Sequence, residues 1–214
     1  MEHTILAFLK FGNLKNMTDL FNNGTIYMNP IQYFRKIEDA ELRGDKYEGA
    51  SGIINSTSGN FKIPGIEQEF NFQHLHLIES YKEVVGNIYS LYSISSHGFA
   101  NPLGFKLDQQ NERFGTHCVM IKDNAHFLKR IEEELKKREL HFHHGFIEYY
   151  DKKIKSGKVT LFEKPKEFEY QKEFRFYVEH TEIEPLVIQI GSLENCAQLI
   201  TMEEAMSISL GKGG

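Results

Sequence analysis

The run YQKEFRFYV (170–178) sets Gln171, Glu173 and Arg175 two residues apart. On a strand that spacing puts all three, with Tyr177, on one face, and Tyr170, Lys172, Phe174 and Phe176 on the other. A charged face can simply be solvated and laced by a Glu173–Arg175 pair. The aromatic strands around it instead favour a covered sheet, where a buried charge must be paired. A carboxylate held beside a guanidinium can stabilise a cationic sugar, the chemistry of glycosidic-bond cleavage.

A second polar strand is NIYSLYSISS (87–96), in which Tyr89, Leu91 and Ser93 alternate with Ser90, Tyr92 and Ile94, ahead of the pair Ser95-Ser96. Serine is a weak strand former, so these hydroxyls either satisfy themselves at an edge or line a wall that binds a sugar or an amide. Histidines are less telling. His74 and His76 share a strand face and His141, His143 and His144 cluster, but no Asp, Glu or Cys at matching spacing completes a metal site, and none is expected. GxGxxG, P-loop, HExxH and GxSxG patterns are all missing, which argues against dinucleotide dehydrogenases, P-loop NTPases, zincins and α/β-hydrolases.

The elements that must carry these residues read as one domain spanning 1–214. ILAFLKFG is a first strand, NLKNMTDLFNNG a helix stopped by Gly24, and TIYMNP a second strand. IQYFRKIEDAELRGDKYEG is aromatic and then densely charged, and reads as a turn-rich loop whose Arg35, Arg43, Asp45 and Glu48 are expected to reach the Glu173 cleft, at least two of them. Residues 50–65 read as a loop or loose hairpin, followed by the strands FNFQHLHLIES and NIYSLYSISS, and residues 97–115 as a surface excursion over a site. THCVMIKD is a strand. NAHFLKRIEEELKKREL is the clearest helix, with Phe127, Leu128, Ile131 and Leu135 as its apolar stripe. FIEYYDKKI and KVTLFEK read as two strands around a Ser156-Gly157 turn, and the C-terminal segment is partly helical. The fold class is therefore α+β, mostly antiparallel strands in two small sheets around a cleft, with helices on the flanks.

Composition fits a globular protein, 40% hydrophobic and 26% charged, and the net charge of −5 gives no global pull towards a nucleic-acid backbone. Cys118 and Cys196 sit in apolar runs and are expected to be buried, reduced thiols. No apolar run approaches membrane-spanning length, and the expected location is the cytoplasm.

A first strand ending in Lys10, a helix, an Asn-Pro loop, a serine-bearing strand and a late Gln-x-Glu strand together resemble the ADP-ribosyltransferase fold. Order and spacing are most similar to the DarT-type nucleic-acid modifiers and to a related uncharacterised bacterial and phage family, over roughly residues 5 to 190. The resemblance implies a mono-ADP-ribosyltransferase with NAD as co-substrate and a nucleic-acid or protein acceptor, acting as a toxin or in phage–host conflict, with an inhibitor or antitoxin as a possible partner. It implies Glu173 as the catalytic glutamate and Gln171 as the residue that orients the acceptor. Lys10, Ser93, Ser95, Tyr33, Arg35 and Arg43 would hold the NAD. The chain departs from the family in lacking the first-strand arginine or His-Gly pair and the threonine of Ser-Thr-Ser. The alternative on the same fold is an inactive module that binds a nucleotide or a protein, as a defence or anti-defence inhibitor.

Overall fold

The computed structural model describes residues 3–36, 50–80, 85–99 and 105–209. The chain runs β1 (Ile5–Gly12), α1 (Leu14–Asn23), β2 (Thr25–Pro30), α2 (Ile31–Lys36), β3 (Ala50–Ser56), β4 (Gly59–Lys62), β5 (Glu69–Phe72) and β6 (Leu75–Ser80). It continues β7 (Asn87–Ser95), β8 (His117–Ile121), α3 (Asn124–Lys137), β9 (Phe142–Phe146), β10 (Glu148–Tyr150), β11 (Gly157–Lys158) and β12 (Glu163–Pro165). The last elements are β13 (Glu173–Val178), β14 (Leu186–Gln189), β15 (Ala197–Thr201) and α4 (Met202–Met206). Among the described residues no helix is long and apolar enough to cross a membrane.

The α+β class is correct, but the strands do not form two small sheets. One eight-stranded sheet runs β14-β2-β7-β1-β8-β15 and branches at β7 to β13 and β9, with three smaller sheets beside it. Among the described residues pairing is antiparallel except between β10 and β12. β7 is the hub, and its residues are buried on both faces. Leu91, Phe174, Phe176 and Phe8 pack one face under Phe127, Ile131 and Leu135 of α3; Tyr92, Ile94 and Leu9 pack the other with Phe105, Leu107 and Met202.

Local chemistry accounts for the helices. Asn13 caps α1 by accepting from the Asn16 N–H at 2.9 Å, and Met17 and Leu20 form its buried stripe. Gly24 ends it in the left-handed region at φ 64°, where a Cβ would collide with the backbone of Gly191. Asp123 caps α3, and Glu132–Lys136 and Glu134–Arg138 pairs support its exposed side.

Several segments differ from their sequence reading. Residues 50–80 are a long antiparallel ribbon: β3 pairs β6 and β4 pairs β5. A Gly-, Ser- and Asn-rich strand carries no propensity signal, and its ladder comes from its partner. The Ser156-Gly157 hairpin does not form, because β11 pairs with β3 while β12 lies parallel to β10. Residues 166–171 are a 3-10 helix, and Lys172 adopts a left-handed φ of 39° before β13 starts at Glu173.

Candidate active site

The main sheet splits beside Glu173. One edge of β7 is taken by β13, with Glu173 opposite Tyr92 and Arg175 opposite Ser90. The other edge is shared: β1 pairs with Tyr92–Ser95 and β2 only with Asn87 and Ile88. Residues 89–91 are left without a strand on that edge among the described residues. Lys10 fills the gap with its side chain, donating from Nζ to the Ser90 carbonyl at 2.7 Å while its ammonium lies 4.2 Å from the Tyr89 ring centroid. A strand lysine thus does the work of a missing ladder bond, and the space between β1 and β2 opens into a cleft of about 510 Å3.

Glu173 lies in this cleft at 3% exposure, beside Arg175 at 1% and Lys164 at 7%. Its Oε1 accepts from Ser90 Oγ at 2.6 Å and from Arg175 Nε at 2.8 Å; its Oε2 accepts from Lys164 Nζ at 2.6 Å. Lys164 Nζ also donates to Gln171 Oε1 at 3.0 Å, and the Glu173 N–H donates to Tyr149 Oη at 2.9 Å. Burial alone would push the Glu173 carboxyl up, but Arg175 and Lys164 more than reverse that and hold it well below the usual carboxylate range. Glu173 is therefore a fixed negative charge, suited to electrostatic stabilisation and unsuited to carrying a proton. Its Oε2 accepts from one described donor, Lys164, and a carboxylate oxygen can accept two hydrogen bonds.

The rest of the wall is polar and aromatic. Phe11 stacks on Phe114, and Phe114 on Tyr170, while Tyr27 of β2 and Tyr33 of α2 line the cleft half-exposed. Tyr89, Asn111 and Thr25 line the cleft, and the Tyr89 hydroxyl, Asn111 Oδ1 and Thr25 Oγ1 are buried with no partner among the described residues. Such atoms are costly unless water or a ligand satisfies them.

No family model, curated protein or solved structure matches the chain.

Of the residues singled out in the sequence, the cleft gathers Glu173, Gln171, Arg175, Lys10 and Tyr33. Gln171 reaches it from the 3-10 helix and not by strand alternation, and Lys164 ties it to Glu173. Ser93 and Ser95 do not line this cleft. They open onto a second cavity of about 270 Å3, with His97, Glu148, Tyr149, Lys166, Glu169 and Lys172. The hydroxyl that meets Glu173 is Ser90, on the other face of β7. Arg35 lies on α2 and is not part of the cleft wall; Arg43, Asp45 and Glu48 fall outside the described residues. The excursion at 97–115 does reach the site, through Asn111 and Phe114. Sequence reasoning missed Lys164 and Ser90. Ser90 was separable from Ser93 only by knowing that it pairs with Arg175, and Lys164 sits in a charged run, EKPKE, that reads as solvated.

Cys118 and Cys196 are buried free thiols, as expected, and burial pushes the Cys118 thiol up to about 12.

Proposed function

We propose that the protein is a mono-ADP-ribosyltransferase that cleaves the nicotinamide–ribose bond of NAD and passes ADP-ribose to a macromolecular acceptor, a nucleic acid or a protein. One observation carries the reading: an ionised Glu173, held by Ser90, Arg175 and Lys164, sits in a cleft large enough for a dinucleotide, at a split between strands. As the C1′–N bond breaks, its electron pair goes to the ring nitrogen, leaving neutral nicotinamide and an oxocarbenium-like ribose. The Glu173 carboxylate stabilises that cation and accepts a ribose hydroxyl at Oε2. The acceptor's nucleophile then bonds to C1′ and its proton passes to solvent. Pre-oriented charge in a dry site is what makes such a carboxylate effective. Gln171, fixed by Lys164, stands beside it to orient the acceptor.

A second reading is a non-catalytic nucleotide- or protein-binding module, an inhibitor in defence or anti-defence. It is favoured by one feature: three donors already grip Glu173, as in a purely structural ion cluster. Incubation with NAD labelled in its adenylate half, with and without cell lysate, separates the two. Release of nicotinamide with label left on a macromolecule supports the transferase; intact NAD under all conditions supports the module.

A further inference from the structure

The split in the main sheet leaves three strands with bare backbone rungs bordering one space. We infer that it takes an extended acidic peptide as an added strand, paired along β2. Residues of an antiparallel strand turn their N–H and C=O groups alternately to one neighbour and the other. On β2 the even residues face β14, and the Ile190 N–H continues that ladder by donating to the Gly24 carbonyl at 3.0 Å. The odd residues face β7: beyond Asn29, the Ile31 N–H donates to the Gly86 carbonyl at 3.0 Å. Among the described residues β2 meets β7 only at Asn29 and Pro30, so Thr25 and Tyr27 turn their backbone groups into the split with no strand opposite. β7 follows the same rule. Its Ser93 N–H donates to the Lys172 carbonyl on the β13 side at 2.8 Å, so Ser90, of opposite parity, faces the split, where the Lys10 side chain meets its carbonyl. On β1, Leu9 opposite Tyr92 is the last rung with β7, and Phe11, the next residue of that parity, has no strand opposite on this edge.

Phe11, Thr25, Tyr27 and Ser90 all line the cleft, and none of them is fully buried. The rungs at Thr25 and Tyr27 stand two residues apart, a repeat of roughly 6.6 Å that a second extended backbone matches with its own donors and acceptors. A segment of about five residues spans both with some to spare. Open edges are templates for a further strand, and main-chain bonds supply the affinity. Thr25–Asn29 carries neither the charge nor the proline that would blunt this one. The outer edge of β14 is treated differently: Arg138 Nη1 donates to the outward Val187 carbonyl at 2.9 Å. Charge selects the kind of peptide. Among the described residues the ionic side chains lining the cleft are Lys10, Lys164 and Arg175 against Asp19 and Glu173, three cations to two carboxylates, a balance that favours an acidic partner.

The experiment selects peptides of about seven residues from a random library on the full chain and resynthesises the enriched sequences with blocked ends. They are expected to carry an acidic residue whose replacement by its amide weakens binding severalfold. Singly N-methylated versions read the pairing: a methyl at alternate residues is expected to weaken binding at least about tenfold, and at the residues between to change it little. Tyr27→Pro deletes an N–H that the β14 ladder does not use, whereas Tyr27→Ala removes the same side chain and keeps that N–H. The proline variant is expected to bind at least about tenfold more weakly than the alanine variant, both melting near the parent. If the proline variant does not fold, the N-methyl series decides alone. Failure to enrich any sequence, a methyl profile without alternation, or equal binding by the two folded variants overturns the inference. Nicotinamide release from NAD is scored separately, because the inference does not rest on the transferase reading. Peptide binding without NAD cleavage keeps the open edge and removes the transferase; NAD cleavage without peptide binding does the reverse.

Discussion

The cleft of about 510 Å3 and the cavity of about 270 Å3 share one residue, Glu173, yet only the larger holds the groups that grip its carboxylate. Ser90, Lys164 and Arg175 all line the large cleft and none lines the small cavity. The small cavity is balanced within itself: Lys172 pairs with Glu169 at 3.0 Å and His97 with Glu148 at 2.8 Å, while Ser93 Oγ is buried without a partner. Both cavities contain strand hydroxyls from β7, three residues apart on opposite faces. Residue type is therefore a poor guide to chemistry here. What distinguishes the two is which side the carboxylate faces and which cations follow it.

The largest effect is expected from Glu173→Gln. Removing the charge should cost nicotinamide release about a hundred- to a thousandfold. Because Lys164 and Arg175 are buried alongside Glu173, the substitution should also cost about 3 kcal/mol or more of stability. Adding Lys164→Met removes one of the two cations and should recover part of the melting temperature without recovering turnover. Recovery of both would make Glu173 structural only.

The same cluster predicts an acid dependence. Glu173 has a folded pKa below its unfolded value, so its contribution is complete above about pH 4.3 and is lost as the pH falls towards the folded value. Urea midpoints of the parent chain and Glu173→Gln should differ most near neutral pH and converge below about pH 4. A constant gap down to pH 2.5 would contradict the assignment.

A third test sets the two hydroxyls against each other. Ser90→Ala removes a hydrogen bond to a buried carboxylate, worth about 1.5 kcal/mol or more, and should slow turnover roughly tenfold. Ser93→Ala removes no described bond and should change neither stability nor turnover measurably, since the lost hydroxyl was an unsatisfied buried group. Equal losses from both would mean that the small cavity also serves the reaction.

How much of this was legible depended on whether a residue's partner was local. α1 and α3 were readable from Met17, Leu20, Phe127, Ile131 and Leu135, because a helix bonds within itself and its period is in the sequence. Glu173 and Arg175 were readable because two-residue spacing on β13 needs no partner to set a face. The ribbon at 50–80, the pairing of β11 with β3 and the choice of Ser90 over Ser93 all depend on register with distant strands. No alternation pattern encodes that. Lys164 illustrates it most clearly: nine residues from Glu173 in sequence, it comes from β12, outside the main sheet, and meets the carboxylate only once β12 has docked beside β10.

The smallest effect tests the turn that separates the two cavities. Lys172 is in the left-handed region at φ 39°, its carbonyl accepts from the Ser93 N–H at 2.8 Å, and its side chain lies in the small cavity wall. The turn lets Gln171, on a 3-10 helix, and Glu173, on a strand, reach the same cleft. A left-handed conformation costs a residue with a Cβ about 1 kcal/mol or more, and glycine almost nothing. Lys172→Gly and Lys172→Ala both lose the pair with Glu169, a half-exposed contact worth at most about 1 kcal/mol. In the folded state they differ in backbone strain. Lys172→Gly should therefore be more stable than Lys172→Ala by about 1 kcal/mol in urea unfolding, offset in part by the greater freedom of glycine in the unfolded chain. If alanine were the more stable of the two, the left-handed turn would not be what sets Gln171 and Glu173 side by side, and Lys164 would have to hold them there unaided.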